Sequence, residues 1–178
     1  MNTYELLRAS HTKRWTIVST ARVQTVAEHL FNVTMIAEKL AEAIGYDIVI
    51  NSDNFLKLQT WALMHDIPEV FTGDLPTPFK RELKRRGADI EAVEDELAPG
   101  YGDLADAAIG TEYGMIVKLA DMMEAVWFLS ENGLGAHARK VLQGLYDNLY
   151  AMVDEYSNEF PDLLIRDGVA RIRKEMCI

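Results

Sequence analysis

The sequence predicts an all-α protein, a single compact helical bundle spanning residues 1–178. Three observations lead there. Apolar residues recur three or four positions apart through almost every long segment, the spacing that gathers them on one face of a helix. No stretch alternates apolar and polar residues in the manner of a half-buried strand. The breaks between periodic segments carry Gly, Pro or Asn-Gly, and no internal repeat or low-complexity linker divides the chain.

The elements follow in order. Between Thr25 and Ile44, the residues Val26, Leu30, Val33, Ile36, Ala37, Leu40 and Ile44 line one face, and Gly45 follows as a stop signal. Asn54 to His65 continues the period with Phe55, Leu58, Ala62 and Leu63. The stretch TGDLPTPF is expected to be a loop because of its Gly and two Pro, with Pro78 suited to the first turn of the next helix. A short acidic helix runs from Ala88 to Leu97 and ends at Pro99-Gly100. Thr111 to Leu129 is long and strongly apolar, broken by Asn132-Gly133. Ala136 to Tyr156 and Asp162 to Met176 complete a set of about six or seven main helices.

Composition narrows the function. A net charge of −10 repels the phosphate backbone of DNA or RNA, so no nucleic-acid polymer is expected as partner. A small anion needs only a local cationic patch. Basic residues gather at Lys80, Arg81, Lys84, Arg85 and Arg86, and again at Arg8, Lys13, Arg14 and Arg22. The first group reads equally well as a solvated helix face. No run of about 18 uncharged apolar residues exists, so no membrane partner is expected. The opening MNTYELLRASHTKRW carries no secretory signal, and one thiol, Cys177, cannot form an internal disulfide. A cytoplasmic location is the expectation.

The sharpest feature is His65-Asp66, followed by Glu69 on the same helical face and Asp74 in the loop beyond. Adjacent helical residues point roughly 100° apart, so both reach one metal only near a helix end. Pro68 and the loop after Phe71 supply such an end. An imidazole nitrogen and a carboxylate oxygen suit a borderline divalent cation. His29, in TVAEHLFNV, and Asp121, in VKLADMMEAV, lie in apolar helices where an unpaired ionisable group is costly. Singly, each has an ordinary structural explanation; together they form a ligand set.

In this order and helical context, His29, His65, Asp66 and Asp121 resemble the HD superfamily, whose pattern is a His, an adjacent His-Asp and a distant Asp. Within it the chain looks most similar to the small 5′-deoxynucleotidases and the phage deoxynucleoside triphosphohydrolases. Arg14-Trp15, VAEH ending at His29, HDIPEVFTGDLPTPFK from His65 to Lys80, and VKLAD ending at Asp121 carry that likeness. It implies metal-dependent hydrolysis of a deoxynucleotide by a homo-oligomeric enzyme. No histidine lies between His65 and Asp121, whereas two-metal members of the superfamily use extra ones there. One divalent transition metal of the Zn, Co or Mn class is therefore expected, with further ions carried only by substrate phosphates.

The resemblance also distributes roles. Glu69, one turn beyond His65, orients or deprotonates the attacking water, and Asp74 lies at the reacting phosphate or sugar. Arg14 contacts substrate, Trp15 stacks on a base or walls the cavity, and Ile17 and Val18 shape the base site. Lys80 and Lys118 are expected as unpaired cations facing the metal and holding phosphates. Arg14-Trp15 with Ile17 and Gln24-Thr25 look most like the small phage enzymes that clear dATP. A 5′-deoxynucleotidase acting on monophosphates is the alternative; a catalytically silent nucleotide sensor and a DNA-binding helical domain are the others.

Overall fold

The computed structural model describes residues 1–49 and 51–178, and among them the only extended pairings are the isolated bridges Lys13–Thr25 and Thr20–Gly133. The rest is helix and connecting turns. Ten α-helices occur among the described residues: α1 (Thr3–Leu7), α2 (Val26–Ile44), α3 (Ser52–Met64), α4 (Glu69–Thr72), α5 (Thr77–Arg85), α6 (Ile90–Leu97), α7 (Tyr101–Ala108), α8 (Glu112–Asn132), α9 (Gly135–Glu159) and α10 (Ile165–Glu175).

Helix α2 begins where Thr25 accepts the Glu28 N–H and ends on Gly45, whose φ of 84° needs no Cβ. Its apolar face packs against α8, α3 and α10. Helix α8 is the axis of the core. Met115, Ile116, Val117, Leu119, Ala120, Met123, Ala125, Val126, Phe128 and Leu129 are all buried, so it is surrounded rather than half-exposed. Between Tyr113 and Ser130 its charged residues are Lys118, Asp121 and Glu124, spaced three apart along one stripe. That stripe faces the site. The closeness of α10 to α2 depends on Gly168, where a Cβ would lie 2.4 Å from the Ile44 methyl group.

Several expectations are corrected. Helix α1 was not foreseen, although Asn2 and Glu5 form a reciprocal capping box that the sequence displays. Helix α7 follows Pro99-Gly100 directly, because Gly100 at φ 84° turns the chain into a new helix instead of a long loop. The TGDLPTPF loop shrinks to residues 73–76: Thr72 closes α4, and Thr77, Pro78 and Phe79 form the first turn of α5, where a proline loses no bonded N–H. Among the described residues, no helix is long and apolar enough to cross a membrane.

Residues 11–25 form a folded segment with little regular structure, pinned at both ends. The Arg14 N–H donates to the Gln24 carbonyl and the Val26 N–H to the Thr12 carbonyl; the Ala21 N–H reaches the Asn132 carbonyl at the end of α8. This anchoring sets Arg14 and Trp15 beside the α8 stripe.

Candidate metal centre and its two cavities

The His-Asp pair sits at a helix end, as the sequence requires, within one residue of the expected bound at His65. Helix α3 stops at Met64, His65 is its C-cap, and residues 65–68 form tight turns with the Ile67 N–H on the Met64 carbonyl and the Glu69 N–H on the Asp66 carbonyl. This tightening lets neighbouring side chains converge on one point. The Tyr101 hydroxyl of α7 donates to the His65 carbonyl at 2.7 Å and ties down the turn.

His29, His65, Asp66 and Asp121 come together with one ligand atom each, all within 4.8 Å of one another. His29 Nε2 lies 3.3 Å from Asp66 Oδ2 and 3.4 Å from Asp121 Oδ1, and His65 Nε2 lies 3.7 Å from Asp66 Oδ2. Ligands bound tetrahedrally at zinc distances are about 3.4 Å apart, so these separations suit one small cation. The tautomers suit it as well. His29 Nδ1 faces Glu124 Oε2 at 2.8 Å and His65 Nδ1 faces the Ala62 carbonyl at 2.9 Å, which leaves both Nε2 atoms, buried and without a hydrogen-bond partner, turned to the carboxylates.

Electrostatics point the same way. Burial and the Arg14 charge lower the pKa of His29, yet the carboxylates of Asp121, Asp66 and Glu124 drive it up to about 10. Burial alone would raise the acids, but the neighbouring imidazoles hold Asp66 well below the usual carboxylate range. His29 and Lys118 lower Asp121. The carboxylates thus favour positive charge at the cluster, and a metal held there would take the place of the His29 proton.

Glu69 is 5% exposed and opens α4 beside the cluster. Its Oε1 accepts from Lys80 Nζ at 3.3 Å, while Oε2 is buried with no partner. Burial, then the charges of Asp66 and Asp74, push its pKa up to about 8. Such a carboxyl is a better proton acceptor than an exposed glutamate.

A cavity opens on each side of the cluster, and the two share Lys118 and Asp121. The first, about 580 Å³, is lined by His65, Asp66, Glu69, Lys80 and Tyr101 and runs to Tyr156 and Phe160. The second, about 570 Å³, is walled by Arg14, Trp15, Ile17, Val18, Asp74 and Pro76, with Arg81, His137 and Lys140 also at its edge. Each substrate residue expected from the sequence therefore lines one cavity or both.

Trp15 is held from several sides. Its φ of 62° is uncommon for a bulky residue, and its N–H donates to Asp74 Oδ2 at 3.0 Å. Its ring stacks on Phe128 with centroids 6.0 Å apart, and the Arg14 guanidinium lies 5.8 Å from its centroid. Arg14 itself is raised: burial opposes its charge, but Asp66, Asp121 and Glu124 outweigh that. Its Nε and Nη1 are buried and make no hydrogen bond; Nη1 lies 3.6 Å from Glu124 Oε2, which leaves Nε as the donor without a charged partner.

The unpaired lysines are a correction. Lys80 pairs with Glu69 across the turn between α4 and α5, and Lys118 Nζ lies 3.7 Å from Asp121 Oδ2, three residues on along α8, because each has a carboxylate within reach. Of the remaining basic cluster, Arg85 and Arg86 pair with Glu82 and Lys84 with Glu91 on exposed surface, the solvated face. The sequence reading missed Glu124, which is fully buried and one turn beyond Asp121. A carboxylate on an otherwise apolar helix was its signal.

The comparisons agree with this geometry. The family model for 5′-deoxynucleotidase YfbR-like proteins matches residues 4–132. A dATP triphosphohydrolase of Cyanophage S-2L is 40% identical over 148 residues, 83% of this chain and 80% of that protein. A dATP triphosphohydrolase of Salmonella phage PMBT28 is 35% identical over 179 residues, 99% of this chain and 88% of that one. Among solved structures, the Cyanophage S-2L HD phosphohydrolase DatZ bound to dA and one catalytic Zn2+ ion superposes with a TM-score of 0.81 at 32% identity, covering 99% of this chain and 97% of DatZ. With that match spanning most of the chain and an assembled His, His-Asp, Asp cluster, the protein belongs to the YfbR-like family of HD phosphohydrolases.

Proposed function

We propose that the protein is a metal-dependent deoxynucleoside triphosphohydrolase acting on dATP, with deoxyadenosine and tripolyphosphate as products. One observation carries this reading: the cluster lies between the cavity walled by Trp15, Ile17 and Val18, which also carries Arg14, Arg81 and Lys140, and the cavity bearing Lys80, the two joined at Lys118 and Asp121. A nucleotide whose base and sugar fill the Trp15 side sets its α-phosphate at the cluster and extends its remaining phosphates toward Lys80. The dATP triphosphohydrolase relatives and the dA and Zn2+ bound by DatZ support it.

His29, His65, Asp66 and Asp121 hold the metal in this reading. When bound, it polarises a phosphoryl oxygen and makes a nearby water more acidic. Glu69 takes the proton of the attacking water through Oε2 as the water oxygen bonds to the α-phosphorus. The bond from phosphorus to O5′ breaks, and the departing 5′ oxygen takes up a proton from solvent water. Asp74, anchored to the Trp15 N–H, stands on that side of the cavity. Arg14 offers its Nε–H to the α-phosphate, and Lys80 and Lys118 hold the tail. Trp15, Ile17 and Val18 wall the nucleoside.

The family name favours a second reading, a 5′-deoxynucleotidase. It breaks the same phosphorus–O5′ bond, so the cluster serves both; only the tail differs. Three linked phosphates carry about four negative charges, which a monophosphate lacks. A charge-assisted contact is worth about 1.5–3 kcal/mol when shielded, and less for Lys118, whose side chain is 60% exposed. Lys118→Ala should therefore lower kcat/KM for dATP by roughly 3- to 30-fold and leave dAMP within about threefold. Steady-state kinetics on dATP, ATP and dAMP tests both tail and sugar. Brisk dAMP hydrolysis with untouched dATP replaces the triphosphate reading, and equal kcat/KM for ATP and dATP removes the deoxyribose preference.

A further inference from the structure

At the buried edge of the cluster, three fully buried polar residues meet: Gln24, His29 and Glu124. A buried amide or carboxylate is costly unless its hydrogen bonds are made, and an apolar side chain would pack there without that cost. Their bonds form one unbroken path. Trp15 Nε1 donates to Gln24 Oε1 at 2.8 Å, and Gln24 Nε2 donates to Glu124 Oε1 at 2.5 Å. His29 Nδ1 then donates to Glu124 Oε2 at 2.8 Å.

The direction of this path is fixed by chemistry. An indole N–H only donates and a carboxylate only accepts here, so the Gln24 amide has one orientation that satisfies both neighbours. The glutamine amide presents an acceptor and a donor on one planar group, as this position demands. Glu124 is the hub. Asn32 Nδ2 also donates to its Oε1 at 3.1 Å, and Arg14 Nη1 lies 3.6 Å from its Oε2. Phe128, one turn further along α8, stacks on the Trp15 ring. One helix therefore orients both the indole and, through Glu124, the imidazole.

We propose that Gln24 and Glu124 form a positioning link that couples the nucleoside wall, Trp15, to the metal-facing imidazole of His29. The inference rests on the four-residue metal centre and on Trp15 as a cavity wall. Through this link the indole sets the Gln24 amide, the amide sets the Glu124 carboxylate, and Glu124 fixes the tautomer and tilt of His29. Substrate that settles against Trp15 thus reinforces the geometry of a residue it does not touch. The coupling works in both directions, as binding linkage requires.

Zinc affinity, measured by competition with a chromophoric chelator, tests the link without relying on turnover. Gln24→Met preserves size and removes both bonds; it should weaken zinc binding about 10- to 100-fold, the range for losing a hydrogen-bond partner behind a metal ligand. Trp15→Phe keeps a ring on Phe128 and deletes only the indole donor; it should weaken zinc about 3- to 10-fold although Trp15 contacts no ligand. The double variant should bind zinc no more weakly than Gln24→Met, because the path is already cut. A merely structural wall would leave the zinc affinity of Trp15→Phe unchanged, and a value within twofold of the parent overturns the link. Far-ultraviolet circular dichroism monitors folding, and if Gln24→Met does not fold, Trp15→Phe alone decides. A parent that binds no zinc overturns the metal-centre reading itself, and the link falls with it.

Discussion

Glu69→Gln should keep its metal and its helical content and lose at least about 10²-fold in kcat, the usual worth of a general base. The amide is nearly isosteric, so the buried site is not left with a void, and Lys80 still finds an acceptor at Oε1. What disappears is the ability of Oε2, now without a partner, to take a proton. The pH profile separates this from a packing effect. Burial and the Asp66 and Asp74 charges raise Glu69 to about 8, so the acid form prevails below that pH in the metal-free protein. A bound cation lowers the value. A base must be deprotonated to act, so parental kcat should climb with pH through this titration and level off above it. In Glu69→Gln that acid limb should vanish. Activity within about threefold of the parent removes Glu69 from the mechanism.

His65→Ala and Asp121→Ala should lose the metal altogether. Each removes one of the four converging ligand atoms, a greater loss than the roughly 10- to 100-fold attributed to an outer hydrogen-bond partner. Thermal unfolding reports it independently of catalysis. A ligand at 1,000 times its Kd stabilises by about 4 kcal/mol, so a chelator should lower the parental Tm by several degrees. Neither variant should respond to the chelator. Elemental analysis showing full metal occupancy in both would exclude these residues as ligands.

Much of this site was legible because its residues break local rules. His29 and Asp121 interrupt apolar helix faces, and His65-Asp66 converge only because a helix ends at Met64. The long helices were legible for the same reason the core is: α2 and α8 keep helical period over many turns. What escaped reading depended on partners distant in sequence. Glu124 meets Gln24 across 100 residues and His29 across 95, so no local window reveals the network. The pairing of Lys80 with Glu69 follows from the turn between α4 and α5, which periodicity does not describe. Helices α4 and α7 are short, four and eight residues, and their edges are set by Gly73 and Gly100 at positive φ. There, tertiary packing and backbone conformation outweigh the pattern of apolar residues.

Product identity tests the central claim most directly. The metal-loaded protein is incubated with dATP and the reaction is followed by phosphorus NMR, with parallel chromatography of the nucleoside. If the α-phosphate sits at the cluster and the tail extends toward Lys80, the first products are deoxyadenosine and intact tripolyphosphate in equal amounts. Neither dADP nor dAMP should build up. Orthophosphate or pyrophosphate released ahead of deoxyadenosine would mean that the bond cleaved lies further along the chain, and would contradict this account of the site.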